Sequence, residues 1–127
     1  MAPTILIVDD DRESQLMLAV CLQHYGFKTL EAQSVWDGLE MAEADQPDLI
    51  VFDNTLPKRH GYFLLENIRT SSTTAHIPFL MIFNASRSLE EIHNNQTWIE
   101  DAFVYSPYMP DELIKAINRV LEQSHSR

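Results

Sequence analysis

The sequence predicts an open, doubly wound α/β fold: a parallel sheet of five strands covered by helices on both faces. Three observations carry this prediction. Two short runs rich in β-branched residues, Ile5-Leu6-Ile7-Val8 and Leu49-Ile50-Val51-Phe52, are apolar on both alternating faces, as strands buried on both sides must be. Strand and helix patterns alternate five times along the chain, and right-handed crossovers turn that alternation into a doubly wound sheet. Both runs end in carboxylates, Asp9-Asp10-Asp11 and Asp53, at the carboxyl edge where such folds place their ligands.

Each element follows from local chemistry. After the first strand, Asp11 can cap a helix running to about Tyr25, with Leu18, Cys21, Leu22 and Tyr25 on one face and Gly26 as its left-handed stop. Residues 28–32 form a short second strand. Ser34-Val35-Trp36-Asp37 resembles a capping box and opens a helix with Val35, Leu39 and Ala42 inward. Pro47 precedes the third strand, residues 48–52, and a loop over residues 53–60 contains Pro57 and ends at Gly61. The next helix buries Leu64, Leu65 and Ile68, and residues 70–76 read as a surface loop. Pro78 introduces a fourth strand, residues 79–83. Ser88 starts a fourth helix that Asn94-Asn95-Gln96 weakens. Residues 102–105 are the fifth strand. Pro110, Asp111 and Glu112 suit the first turn of a last helix, whose stripe is Leu113, Ile114, Ile117, Val120 and Leu121; residues 124–127 read as a frayed tail.

Composition narrows the function. A chain of 127 residues supports one domain with a real core, residues 1–127, and leaves no length for an output domain. Nineteen acidic residues against nine basic give a formal charge of −10, which argues against direct contact with a nucleic-acid backbone but not against a protein partner that makes one. Cys21 is the only cysteine, so no intrachain disulfide or cysteine-rich metal site forms, and its apolar neighbours favour packing over reactivity. No signal-peptide pattern and no apolar run near ~18 residues is present, so a cytoplasmic location without membrane contact is expected.

If the first and third strands are neighbours, Asp9, Asp10 and Asp53 meet. Two unit charges ~4 Å apart repel by about 4 kcal/mol at an effective dielectric near 20, so the cluster calls for a hard divalent cation held through oxygen. The plainer reading, that one of these carboxylates or Asp11 caps the first helix, accounts for one of them and not for all.

Read in order, residues 5–11 (ILIVDDD), 48–61 (DLIVFDNTLPKRHG) and 77–82 (IPFLMI) resemble the receiver domains of two-component response regulators. The resemblance covers nearly the whole chain. It implies a flavodoxin-like (βα)5 fold with strand order 2-1-3-4-5. It implies that Asp53 is the phosphoacceptor, and that Asp9 and Asp10 bind Mg2+ together with Asp53 and the backbone carbonyl of Thr55. It further implies a histidine kinase or phosphotransfer protein as donor, a downstream protein partner, and no enzymatic turnover of its own. Homodimerisation is left open.

Departures from the family pattern are equally specific. Where the family has Ser or Thr at the end of the fourth strand, this chain has Phe83, or Asn84 after a one-residue shift. Where the family has Lys before Pro at the end of the fifth strand, it has Ser106 before Pro107. Phe103 matches the aromatic position whose rotamer reports activation in the family. Lys58 and Arg59 lie in the Asp53 loop, where they either replace the lost ammonium or are simply solvated; His60 reads as a loop residue, because Mg2+ prefers oxygen. Trp98, Tyr105, Tyr108 and Met109 read mostly as core, on a face that contacts partners in the family. Two readings follow: a stand-alone receiver with an intact acidic cluster and a degenerate switch, or a pseudo-receiver that is a constitutive interaction module. An aspartate-nucleophile phosphohydrolase is disfavoured because Thr55 stands where such enzymes place a second carboxylate.

Overall fold

A computed structural model describes residues 2–54, 60–84 and 100–125. Five strands, β1 (Thr4–Val8), β2 (Lys28–Ala32), β3 (Leu49–Asn54), β4 (Phe79–Asn84) and β5 (Ala102–Ser106), form one sheet in the order β2-β1-β3-β4-β5 with every pairing parallel. Four helices are described: α1 (Arg12–His24), α2 (Val35–Asp45), α3 (His60–Thr70) and α4 (Pro110–His125). The helix expected after Ser88 lies outside the described residues, as do Thr55, Pro57, Lys58, Arg59 and Trp98.

The pleat divides the core in two. Ile5, Ile7, Leu49, Val51, Leu80, Ile82 and Val104 face α1 and α4, while Leu6, Val8, Ile50, Phe52, Phe79, Met81 and Phe83 face α2 and α3. Fully burying each such side chain contributes roughly 1.5–3 kcal/mol, which is why the central strands β1, β3 and β4 carry consecutive rather than alternate apolar residues, while the edge strand β2 (KTLEA) does not. At the amino edge, Arg69 donates to Ile77 O (2.6 Å) and pairs with Asp101 (2.7 Å), which in turn accepts from Phe79 N (2.7 Å). That network ties α3 to the starts of β4 and β5.

Helix ends follow the expected chemistry. The Asp11 carboxylate accepts from Glu13 N (3.1 Å) and from the Ser14 hydroxyl (2.9 Å), a cap that contributes about 1 kcal/mol. Ser34 Oγ accepts from Asp37 N (3.1 Å), and Gly26 takes the left-handed conformation at φ +93° just past α1.

Several local expectations change. Helix α3 begins at His60, so that residue opens a helix instead of closing a loop. Residues 70–76 are not a plain surface loop: Thr74 is buried and donates to Ile68 O (2.8 Å), closing a compact turn on the end of α3. The stripe of α4 carries the helix through His125, so residues 124 and 125 of the expected frayed tail are helical, and residues 126–127 lie outside the described residues. Gln15 of α1 is fully buried whereas Tyr25, which caps its carboxyl end, is exposed, and Met109 is exposed rather than core. Cys21 is partly buried, and that burial pushes its thiol pKa up, away from the reactive thiolate.

Gly61 marks the closest approach of α3 to the sheet. A β-carbon there would stand 2.7 Å from Met81 Cε, 2.8 Å from its Sδ and 2.9 Å from Phe52 Cδ1. Gly61→Val is therefore expected to cost about 2 kcal/mol through overpacking, read as a lowered urea midpoint at unchanged slope. An unchanged midpoint would mean that α3 stands further from the sheet.

Candidate functional site

The strand order makes the gap between β1 and β3 the switch point of the sheet, the place where open α/β folds bind ligands. Val8 pairs with Phe52, so Asp9 and Asp53 stand across from each other one step beyond. Asp9 is only 4% exposed. Its Oδ1 accepts from Asp11 N (2.9 Å), while its Oδ2 is buried with no hydrogen-bond partner among the described residues. Asp10 is exposed beside it and lines a cleft together with Asp53. Because Asp11 alone caps α1, neither Asp9 nor Asp10 is used as the helix cap.

Burial drives the Asp9 pKa up to about 7; the bond from Asp11 N opposes that shift, and the charges of Asp53, Asp10 and Asp11 reinforce it. A buried carboxylate oxygen without a donor, facing other carboxylates, is an arrangement that a cation relieves. Among the described residues no three acidic, histidine or cysteine side chains converge closely enough to hold a metal alone. The donor set still fits Mg2+, which keeps several waters and is bound through one or two carboxylates rather than an all-protein cage. Thr55, expected to add its carbonyl, lies outside the described residues.

The remaining positions divide. Phe83 is buried to 1% exposure, one register step past Ile82, the partner of Asp53, and it belongs to the α2/α3 side of the core. Its ring stacks on Tyr62 (centroids 6.2 Å, planes 23° apart) and lies 6.2 Å from both Phe103 and Tyr105. Asn84 and Ser106 are register partners at the ends of β4 and β5, so the two altered positions meet at the carboxyl edge. Phe103 is 42% exposed and packs edge-on against Tyr105 (5.5 Å).

Other residues at this edge escaped the sequence reading. A cavity of about 450 Å³ runs from Asp10 and Asp53 to Ser34, Trp36, His60 and Phe63. Trp36 and Phe63 meet edge to face at 5.7 Å on its rim. Their signal was position: the first turn of a helix that follows a strand faces the ligand edge in this fold. Tyr108, read from the sequence as core, does pack against the α1/α4 side of the core, and it also lies close enough to this edge to feel its carboxylates. Its phenol is pushed up to about 12 by burial and then by the charges of Asp53, Cys21 and Asp9.

An open parallel sheet with acidic residues gathered at its switch point defines a doubly wound α/β domain, a class whose ligands bind at that point of the sheet. More narrowly, the chain belongs to the response regulator receiver domain family, whose model matches residues 5–118. It is 30% identical over 121 residues to the phosphate regulon transcriptional regulatory protein PhoB of Pseudomonas aeruginosa, covering 95% of this chain and 52% of PhoB. The chain thus spans about half the length of that relative. Protein PilH of the same organism is 26% identical over 117 residues, 92% of this chain and 96% of PilH. In fold it is similar to the receiver domain of the P. aeruginosa sensor histidine kinase PA1611, solved with a magnesium ion coordinated in its active site cleft. That match has a TM-score of 0.83 at 20% identity and covers 96% of this chain and 99% of the other. The family is a signalling module of two-component systems. No helix among the described residues is long and apolar enough to cross a membrane.

Proposed function

We propose that this chain is a phosphoacceptor receiver that signals by protein contact, with Asp53 as the residue that takes the phosphoryl group. The observation that carries the reading is the placement of Asp9 opposite Asp53 with one buried carboxylate oxygen that has no donor among the described residues. Asp9 and Asp10, with Asp53 and the Thr55 carbonyl, would hold Mg2+; when bound, it neutralises charge on the carboxylates and on the phosphoryl oxygens. An Asp53 oxygen attacks phosphorus as the P–N bond of a phosphohistidine donor breaks, and the imidazole leaves to become neutral histidine on the kinase or phosphotransfer protein. Ser106 can donate one hydrogen bond to the product but no charge, so the acyl phosphate is held less tightly than an ammonium would hold it. The output is a downstream protein partner, reached without direct contact to nucleic acid.

A second reading rests on Phe83. A ring packed among Tyr62, Phe103 and Tyr105 cannot draw toward a phosphoryl group, which favours a constitutive interaction module. Intact-mass measurement after incubation with phosphoramidate and Mg2+ separates the two. Wild type is expected to gain one phosphoryl mass and Asp53→Asn none. Unmodified wild type would leave the constitutive reading in place.

A further inference from the structure

We propose that Gln15 is a positioning residue for the acidic edge: it holds the corner between β1 and α1 in the conformation that presents Asp9 and Asp10 to a divalent cation. The inference rests on the metal reading above and deepens it.

Gln15 is fully buried on the face of α1 that also carries Leu18, Ala19 and Leu22. A hydrocarbon would fill that place without penalty, whereas a buried amide is costly unless its hydrogen bonds are made. Here they are made at particular points. Nε2 donates to Ala32 O (2.7 Å) and to Ile7 O (3.1 Å), and Oε1 accepts from Arg12 Nη1 (3.1 Å). Arg12 Nη1 also reaches Glu31 Oε1 (3.2 Å). The Ala32 carbonyl takes a second bond from Asp9 N (3.1 Å).

One side chain therefore joins the end of β1, the end of β2 and the first turn of α1. It does so on the same carbonyl that anchors the backbone of Asp9. Metal affinity depends on ligand placement to a few tenths of an ångström, and supporting contacts of this kind typically contribute 10–100-fold to it. Without the amide, the Ile7 and Ala32 carbonyls lose a donor and the Asp9–Asp10 corner is free to shift relative to Asp53.

The test is a Mn2+ titration followed by electron paramagnetic resonance, well below the melting temperature of every variant. Gln15→Met keeps the length and removes the donors; it is expected to bind Mn2+ about tenfold more weakly than wild type. Leu18→Ala loosens the same helix face without touching the corner and is expected to bind as wild type does. Gln15→Asn, an uncharged amide one methylene too short to reach both carbonyls, carries the test if Gln15→Met does not fold, with the same loss expected. Equal affinity in Gln15→Met and wild type overturns the inference while leaving the metal site standing. An equal loss in Leu18→Ala also overturns it, since the effect is then one of general stability. Failure of wild type to bind overturns the metal reading and this inference with it.

Discussion

Phe83→Ser is expected to lower the unfolding free energy by about 3 kcal/mol and to set the Phe103 ring in motion. The stability loss follows from burial: at 1% exposure the ring leaves a void that the sheet cannot close, and the contacts with Tyr62, Phe103 and Tyr105 go with it. Aromatic pairs of that kind contribute roughly 0.5–1.5 kcal/mol each beyond the area they bury. The change in mobility follows from geometry. Phe103 is half exposed on β5 and its ring lies 6.2 Å from the buried Phe83 ring, which stands in the way of an inward position for Phe103. Removing that ring provides one, next to a new hydroxyl at the position where the family carries Ser or Thr. Urea denaturation measures the first effect. Backbone amide shifts with and without beryllofluoride measure the second: in wild type they are expected to stay near Asp53, and in Phe83→Ser to extend to Phe103 and Tyr108. A loss under about 1 kcal/mol would show that the void collapses easily. Shifts reaching Phe103 in wild type would show that the chain switches despite its packed ring.

Removing divalent metal is expected to make stability fall as pH rises from about 4 to about 7, with Asp9 as the cause. Its folded pKa of about 7 lies above the ordinary value of 3.8, so across that window the folded state holds a proton that the unfolded state has released. Each proton bound preferentially by the folded state makes stability decrease with pH, so the contribution is fully favourable below the unfolded value and its loss is complete above the folded one. Between about pH 7.5 and about pH 5, metal-free protein should gain about 2 kcal/mol. Asp9→Asn removes the titration, so its profile should be flat there and its metal-free stability at pH 7.5 higher than wild type. Millimolar Mg2+ should stabilise wild type at pH 7.5 by mass action on the folded state, and stabilise Asp9→Asn much less. Thermal melts in EDTA and in Mg2+ across this range provide the measurement. A flat wild-type profile in EDTA would place Asp9 in a wetter setting than the buried one described here.

Much of the architecture was legible because it rests on short-range chemistry. Strands apolar on both faces can lie only between helix layers, which is why the runs beginning at Ile5 and Leu49 were recognisable and their bounds came within two residues. Asp11, Ser34 and Gly26 act on backbone groups within four residues of themselves, so their roles at helix ends could be read from neighbours alone. Asp9, Asp10 and Asp53 stood out as carboxylates following buried strands. The strand order came from the family resemblance and the parallel pairing agreed with it.

Which of those carboxylates bears the burial penalty was decided only when β1, β2 and β3 came together. Asp9 and Asp10 are adjacent in the chain, yet one is buried with an oxygen that has no donor among the described residues and the other is exposed. The same holds for Gln15, an ordinary polar residue on a helix until the ends of β1 and β2 bring two carbonyls to it. It holds for Phe83, whose packing depends on a tyrosine 21 residues away, and for Thr74, buried where a surface loop was expected. Periodicity and capping report what a segment does with its own backbone. The burial of a single polar group depends on which distant surfaces close over it, and that is a property of the assembled sheet and its helices.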